Sequence, residues 1–228
     1  MNRISNVLTL HYRDKWTWFY VPAIILFLIF SVNLIISSLV QHPESIYTGG
    51  ASFIFIYLFV TGIIVVTKTF PFAIGMSMRR VDYFIGSVAA GAISSTLFTS
   101  LIFLMGQLEI QSYGWGDRLH FFHFPYINDG TLLEQFSIYM ILLLHFFYLG
   151  FLIASFAKRF GVKGMLISSI AFFLIGGIAI YVVQSLELWI DIFSWFSNQT
   201  AVQIAYWLIP FLLCYLLISF LLLRRANV

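Results

Sequence analysis

The chain has 228 residues, of which 61% are hydrophobic and 9% are charged, and its formal net charge is +3. This composition leaves too little polar surface to cover a water-soluble globule, so we predict an all-α integral membrane protein and expect no nucleic-acid partner. The single cysteine, Cys214, excludes an intrachain disulfide and a cysteine-based metal site.

The N-terminal segment has the pattern of an amphipathic helix. Its apolar residues Ile4, Val7, Leu8, Tyr12 and Trp16 fall near one helical face, and its charges fall elsewhere. We therefore expect residues 1–18 to form an interfacial helix on the inner membrane surface. The apolar run that follows has no small-residue cleavage site, so we expect it to be retained.

Six apolar stretches reach or approach the roughly 20 residues that a helix needs to cross a bilayer. Because these stretches are continuously apolar rather than alternating, they predict helices and not barrel strands. No internal repeat or soluble domain interrupts them, so residues 1–228 are interpreted as one domain. The predicted spans are 19–40, 51–68, 82–107, 134–157, 163–184 and 202–223.

The positions of the basic residues predict the orientation of the chain. Eleven of the twelve Lys and Arg residues fall in connections on one side of the predicted spans, and only Arg118 falls on the other. Because Lys and Arg stay on the cytoplasmic side during insertion, we predict that both termini are cytoplasmic and that the protein is a multi-pass protein of the cytoplasmic membrane.

Two connections on the predicted outer side are more than short tethers. The connection 108–133 is long and rich in aromatic residues. Residues 185–201 alternate apolar and polar side chains, and they predict a short helix that re-enters the outer leaflet, which lipid tolerates only where protein or water satisfies the backbone. A simple amphipathic turn at the membrane surface remains the alternative.

The sequence contains no motif for ATP hydrolysis, zinc proteolysis or serine hydrolysis, so we do not expect the chain to be an enzyme by itself. The best candidates for a metal site are Asp117, His120 and His123, since a helical turn would place the two histidines on one face. No fourth ligand is evident, and no metal site is predicted.

Polar residues inside the predicted spans are candidates for a substrate path. His145 lies deep in the fourth span, Asn33 lies in the first, and Thr99 belongs to a run of hydroxyl side chains in the third. Ionisable groups in membranes are costly enough to suggest a function. The alternative is structural, because small and polar residues also join neighbouring helices.

A short hinge from Phe70 to Gly86 lies between the second and third predicted spans. Proline fits only the first turn of a helix, so we expect the preceding span to end at Lys68 and Pro71 to open a short new helix. Asp82 is expected to cap the third span, since a carboxylate accepts hydrogen bonds from the N–H groups of a first turn.

The chain resembles the permease subunits of bacterial type-2 ABC exporters. The resemblance is carried by the lead-in His11-Tyr12-Arg13-Asp14-Lys15-Trp16, the segment from Phe70-Pro71-Phe72-Ala73 to Arg79-Arg80-Val81-Asp82-Tyr83-Phe84, the basic Ser155-Phe156-Ala157-Lys158-Arg159-Phe160-Gly161 segment, and the segment before the sixth span. It implies a six-helix subunit that pairs with a second permease, of the same or a different chain, and with two cytoplasmic ATPase subunits.

The resemblance also implies the roles of individual residues. Residues 69–81 would be the cytoplasmic coupling loop that docks in a groove of the ATPase, and ATP and Mg²⁺ would be bound by that partner, with no cofactor bound by this chain. The implied coupling residues are Pro71, Phe72, Ile74, Met76, Met78, Arg79, Arg80 and Asp82, and those of a second cytoplasmic loop are Lys158, Arg159 and Lys163.

Three functions follow from these observations. The first is a permease subunit of an exporter of amphipathic or lipophilic substrates, such as peptides, drugs or lipids. The second is a membrane sensor or immunity protein whose aromatic outer connection binds a peptide or lipid without an ATPase. The third is an intramembrane enzyme built around His145 or around Asp117, His120 and His123. The absence of internal chemistry and the biased basic connections favour the first.

Overall fold

The computed structural model describes residues 3–40, 45–116, 118–128 and 130–226. These residues are mostly helical. Two π-helical turns, Trp16–Tyr20 and Val65–Thr69, and a 3₁₀ turn, Gly50–Ser52, extend the regular helices. The elements are α1 (Arg3–Arg13), α2 (Val21–Leu39), β1 (Ile46–Tyr47), α3 (Phe53–Ile64), α4 (Phe70–Gly75), α5 (Arg80–Gln111), β2 (Leu119–His120), α6 (Leu132–Ser185), α7 (Trp189–Ser197) and α8 (Ala201–Arg224).

Five helices among the described residues are long and apolar enough to cross a membrane, which agrees with the predicted multi-pass protein. They are Trp16–Leu39, Gly50–Gly75, Arg80–Gln111, Leu132–Ser185 and Ala201–Arg224. The predicted fourth and fifth spans both lie in α6, which has non-helical geometry only at Gly161, with φ 66° and ψ −169°. The break lies in the predicted connection between the two spans, but it is a single glycine, in a conformation that other residues rarely adopt, and not a loop of several residues.

Three helices, α3, α5 and α6, form the packed centre of the protein. α3 and α6 approach so closely that a Cβ atom at Gly62 would lie 2.2 Å from the carbonyl oxygen of Phe147. A Cβ atom at Gly150 would lie 2.1 Å from the carbonyl oxygen of Phe59. The two glycines let the helix backbones touch, as small residues do between membrane helices.

The second half of α6, residues 162–185, packs very differently. Its large apolar side chains are exposed on all sides of the helix, and Phe172 and Phe173 retain 74% and 76% of their accessible surface. A helix that is apolar around its whole circumference suits contact with lipid or with another membrane helix.

Contacts between distant residues define two ends of the helical bundle. Arg80 donates a hydrogen bond to the carbonyl of Arg224, and Tyr83 donates one to the carbonyl of Val65, so the start of α5 lies beside the ends of α8 and α3. We call this the basic end, because most Lys and Arg residues cluster near it. We call the opposite end, where α5 ends and α6 and α8 begin, the far end.

The far end is closed by two kinds of local structure. β1 and β2 form a parallel pair in which Ile46 lies opposite Leu119 and Tyr47 opposite His120. α6 and α8 each begin with a capping box, in which Thr131 exchanges hydrogen bonds with Glu134 and Thr200 with Gln203. These caps satisfy N–H groups that would otherwise lack partners at the helix starts.

Candidate functional site

The predicted coupling segment contains the short helix α4, which has Pro71 in its first turn as predicted, and which follows the π turn Val65–Thr69 without a break in the helical backbone. The chain remains helical from Gly50 to Gly75 and passes through Pro71. The prediction that the span ends at Lys68 is therefore wrong. The π turn Val65–Thr69 directly precedes the proline, and its wider path accommodates a residue that has no N–H to donate.

The segment has a buried face and an exposed face. Phe70 and Ala73 are fully buried in the main core, whereas Phe72 and Met76 retain 57% and 56% of their accessible surface. Ile74 and Met78 are half-buried against the same core. Exposed apolar side chains on a short anchored segment have the character of an interaction surface.

Tyr83 of α5 holds the segment in place. Its hydroxyl donates to the carbonyl of Val65 at 2.9 Å and lies 2.9 Å from Oγ1 of Thr69. The ring of Phe70 meets the ring of Tyr83 edge-on, with 5.2 Å between centroids. Because Tyr83 is fully buried, its hydroxyl and its ring both connect the segment rigidly to the start of α5.

A tight turn joins α4 to α5. Ser77 has a left-handed backbone, with φ 58°, and the N–H of Met78 donates to the carbonyl of Ala73 at 3.1 Å. This is the bonding pattern of a Schellman turn, which satisfies the last carbonyls of a helix. The turn and Asn6 of α1 line an open depression of about 340 Å³.

The charged residues after the turn have three different environments. Arg79 is exposed, whereas Nη1 of Arg80 donates to the carbonyl of Arg224 at 2.9 Å. The N-cap of α5 is Arg79, and no side chain caps it. The predicted capping role of Asp82 is therefore wrong, because α5 starts two residues earlier and Asp82 lies in its first turn, where its charge still favours the helix dipole.

The N-terminal helix α1 docks on α5 beside this segment. Val7 and His11 are buried, and a Cβ atom at Gly86 would lie 2.6 Å from the side chain of Val7. Nε2 of His11 lies 2.9 Å from Oγ of Ser87. Burial lowers the pKa of His11 to about 4, so the imidazole is neutral at pH 7. Of the predicted apolar face of α1, Val7 is therefore buried against α5, whereas Trp16 retains 64% of its accessible surface.

The residues assigned to a second loop lie in the helical parts of α6. Lys158 and Arg159 are half-buried, and Lys163 is exposed just beyond the break at Gly161. The rings of Phe84 and Phe151 are 6.0 Å apart, which places this part of α6 near the start of α5. These three basic residues therefore lie near the basic end, but in helices rather than in a loop.

The three predicted substrate-path residues lie in different surroundings. Asn33 donates a hydrogen bond to the carbonyl of Ile29 in its own helix. Thr99 is fully buried and lies 3.7 Å from Sδ of Met140 in α6. The ring of His145 lies 5.3 Å from that of Tyr215 in α8. No direct contact joins these side chains, and their contacts fit the structural alternative at least as well as a common path.

Glu109, which was not among the predicted site residues, organises the far end. Its carboxylate is fully buried and accepts hydrogen bonds from the backbone N–H groups of Phe121, Phe122 and His123 at 2.8–3.0 Å. It also accepts one from the indole of Trp115 at 2.8 Å. The sequence pattern that could have indicated its role is a lone glutamate in the last turns of a long apolar helix, followed by a loop rich in aromatic residues and histidines.

The connection 108–133 folds inward around this carboxylate. The rings of Phe121 and Phe122 are buried between Leu26 and Phe30 of α2 and Met105 of α5. Irregular backbone needs partners when water is excluded, and Glu109 provides them here. We call residues 115–116 and 118–124, which surround Glu109, the outer cap.

A second polar group fixes the remainder of the connection. The hydroxyl of Tyr139 donates to Oδ1 of Asn128 at 2.6 Å. The amide of Gln135 donates to the carbonyls of Asn128 and Gly130 at 2.8 and 2.9 Å. Gln107 of α5 donates to Gln135 at 2.9 Å. These buried bonds hold the connection to both α5 and α6.

An open depression of about 520 Å³ lies on the outer cap. His120 and His123 line it, together with Ser45, Tyr47, Ile110, Tyr113 and Arg118. The Tyr47 ring stacks on His120 with centroids 4.6 Å apart. His120 Nδ1 lies 3.3 Å from Glu109 Oε1. Of the three residues proposed as metal ligands, Asp117 lies outside the described residues.

The predicted re-entrant segment contains the nine-residue helix α7, none of whose residues is buried. Its Trp195 ring lies 6.2 Å from Trp207 of α8. The carbonyl of Gln199, after α7, accepts a hydrogen bond from the hydroxyl of Tyr126 at 2.6 Å. The segment is helical, as predicted, and its depth in a membrane stays a prediction.

No group of three or more His, Cys, Asp or Glu side chains in the described ranges is placed to hold a metal ion. No protein-family model matches the chain, and comparisons with curated proteins and with solved structures give no match either.

Proposed function

We propose that this chain is the permease subunit of an ATP-driven exporter of the ABC type, and that residues 69–81 dock on a separate ATPase. One observation carries the proposal. Phe72, Met76 and Arg79 are exposed and lie close together in the sequence. Their segment is anchored through buried Phe70 and Tyr83. An apolar surface with a neighbouring arginine has the composition of a protein interface.

The anchoring is what a coupling role requires. A displacement of Phe72 and Met76 would move Phe70, and Phe70 packs directly on Tyr83 of α5. α1 would follow, because Val7 and His11 pack on the same part of α5. Closely packed groups transmit such movements because they cannot deform continuously.

The proposed permease has six spans, with both termini in the cytoplasm of a bacterial cell. α6 contains 54 residues, and as a straight helix it would be about 80 Å long, more than twice the hydrocarbon thickness of a bilayer. The break at Gly161 would divide it into two spans. The exposed helix 162–185 is the surface on which we place lipid and the second permease, of the same or a different chain.

Site-specific photo-crosslinking in the native cell tests the proposal. A photoreactive amino acid at position 72 or 76 is expected to capture an ATPase with a phosphate-binding loop. The matched control is Tyr113, which is also exposed but lies at the far end. Capture of no ATPase at positions 72 and 76, or equal capture at 113, would contradict the docking role.

Transport needs its own measurement. The purified assembly, reconstituted in vesicles with ATP and Mg²⁺, is expected to move an amphipathic or lipophilic compound, and Phe72→Ser with Met76→Ser is expected to abolish that transport. Both side chains are exposed, so the double variant should fold normally. Unchanged transport by this variant would contradict coupling through the segment.

A second function, a membrane sensor or immunity protein without an ATPase, is favoured by a different observation. The outer cap is an ordered structure with an open depression lined by aromatic rings and imidazoles. Such a surface suits the capture of an external peptide or lipid. Loss of a resistance or signalling phenotype on Tyr47→Ala, with no ATPase captured at positions 72 and 76, would support this function instead.

A further inference from the structure

Two charged side chains line the open depression of about 340 Å³ between α1 and the turn from α4 to α5, which we call the basic-end depression. We propose that they recognise a pair of opposite charges on the docked ATPase: Asp82 binds a lysine or arginine of that partner, and Arg79 binds an aspartate or glutamate beside it. The ATPase is the partner of the proposed function, on which this inference rests.

The basic-end depression adjoins the exposed apolar surface of the coupling segment. Met76 belongs to both, since it retains 56% of its accessible surface and also lines the depression. A protein that covers Phe72 and Met76 would therefore cover the depression as well. Asn6 of α1 is another of the lining residues, so the same protein would also contact α1.

Asp82 is the first member of the pair. Its Oδ2 atom is buried and has no hydrogen-bond partner among the described residues. The fold has thus removed water from this carboxylate without replacing the lost hydrogen bonds, which costs free energy. The residue as a whole is only half-buried, and it lines the depression from which a partner would approach. A cationic donor would offset the cost, because hydrogen bonds between charged groups are about twice as strong as those between neutral groups.

Arg79 is the second member of the pair. It is exposed, and its side chain has neither a hydrogen bond nor an ion pair to another described residue. The neighbouring Arg80, by contrast, donates to the carbonyl of Arg224. Arg79 and Asp82 do not form an ion pair with each other, although they are three residues apart. A guanidinium group that is available in this way can donate two parallel hydrogen bonds to one carboxylate of a partner.

Two opposite charges at one depression contribute to the choice of partner more than to the strength of binding. A surface with basic residues alone would be repelled by Arg79, and a surface with acidic residues alone would be repelled by Asp82. The pair therefore favours an ATPase that carries one basic and one acidic side chain beside the groove that receives Phe72 and Met76. The order of the two charges also fixes the direction in which the coupling segment lies in that groove.

Charge reversal tests the pair. The probe is the ATPase captured by cross-linking at positions 72 and 76, purified and titrated onto the full-length protein in lipid nanodiscs. Asp82→Lys and Arg79→Glu are each expected to weaken its binding by about tenfold or more, because each variant places like charges together. Arg225→Glu is the matched control, since it reverses an exposed arginine at the same end that is not among the residues lining the depression. It should leave the affinity unchanged.

Restoration by the partner separates recognition from folding. A photoreactive amino acid at position 82 identifies the ATPase residues nearest to it, and we expect a lysine or arginine among them. Reversal of that ATPase residue to glutamate should restore binding to Asp82→Lys and weaken binding to the unmodified chain. A loss of affinity that came only from a damaged start of α5 would not be restored in this way.

The outcomes that contradict the pair also distinguish it from the docking role. Capture of no ATPase at positions 72 and 76 would overturn both. Capture of an ATPase whose affinity is unchanged in Asp82→Lys and Arg79→Glu would leave the docking role intact and overturn the pair, as would an affinity that no reversal on the ATPase restores. Loss of copurifying phosphatidylethanolamine from both variants, at unchanged ATPase affinity, would assign the two charges to lipid headgroups instead.

Discussion

The two ends of the molecule are stabilised in different ways. At the basic end, helices meet through aromatic packing and through hydrogen bonds between neutral groups, such as Tyr83 with Val65 and His11 with Ser87. At the far end, one buried carboxylate, Glu109, holds an irregular loop through five polar partners. The first arrangement distributes its stabilisation over many contacts, and the second concentrates it in one residue.

The difference follows from the backbone at each end. A helix satisfies most of its own N–H and C=O groups, so helices that meet at the basic end need few additional partners. The loop in the outer cap has no such internal bonding and is buried among aromatic rings. A single acceptor with several lone pairs is a compact way to satisfy its N–H groups. Substitutions should therefore have unequal effects at the two ends.

The largest expected effect is that of Glu109→Ala. It would leave three backbone N–H groups and one indole without their acceptor, at a cost of about 3–5 kcal/mol in the free energy of unfolding. Denaturant titration of the protein in detergent measures that free energy, and limited proteolysis should find new cleavage near residue 121. Glu187→Ala, at an exposed position, is the matched control. Equal stabilities of the two variants would contradict the central role of Glu109.

The second-largest expected effect is weaker docking of α1 at acidic pH. The pKa of His11 is lowered from 6.5 to about 4, so between those pH values undocked α1 binds a proton that docked α1 does not. Docking should therefore weaken as the pH falls through this window, by at most about 3 kcal/mol. Hydrogen exchange in residues 4–13 measures the docking.

His11→Asn is the control variant for this pH experiment, because asparagine can still form a hydrogen bond with Ser87 but does not titrate. It should remove the pH dependence of hydrogen exchange in α1. The same dependence in His11→Asn would assign the effect to another group.

A smaller effect is expected for Tyr83→Phe. The variant keeps the ring contact with Phe70 but loses the hydroxyl, and Thr69 can still donate to the carbonyl of Val65. The free energy of unfolding should fall by about 1–2 kcal/mol. Thermal unfolding in detergent checks this, with Tyr20→Phe, at an exposed position, as the control. If Tyr83→Phe lowered the free energy of unfolding more than Glu109→Ala does, the basic end and not the far end would depend on a single residue.

The smallest effect is expected for Arg80→Ala, which removes a cation and a hydrogen bond from the last carbonyls of α8. A charge in this position contributes about 0.3–1 kcal/mol, and salt screens it. Hydrogen exchange at the end of α8 should increase more in Arg80→Ala than in Arg225→Ala, whose side chain is exposed. An equal increase in both variants would show that the contact has no stabilising role.

The composition and periodicity of the sequence were sufficient to predict a mostly helical chain, helices long and apolar enough to cross a membrane, and the helix that leads into the first of them. They could not predict how the chain passes Pro71, because the π turn that accommodates it depends on the packing of Phe70 and on the hydroxyl of Tyr83. Likewise, the basic residues near 158 suggested a loop, and a single glycine at Gly161 replaces it.

The candidate sites were predictable to different degrees. The exposed and buried positions of the coupling segment agree with a short anchored helix, although Asp82 does not cap α5. The position of Glu109 near the end of an apolar helix was visible in the sequence, but its role was not, since its main partners are backbone N–H groups that carry no residue signature. The pair His120 and His123 was visible in the sequence, but its carboxylate neighbour comes from the preceding helix.

The two capping boxes at Thr131 and Thr200 mark the polar starts of α6 and α8. Each box satisfies two of the N–H groups that lack an intrahelical partner at a helix start. A slip of either helix by one turn into the bilayer would carry this polar turn into hydrocarbon, and a slip outward would expose apolar side chains. In the proposed permease, each threonine would therefore mark the depth at which its helix starts.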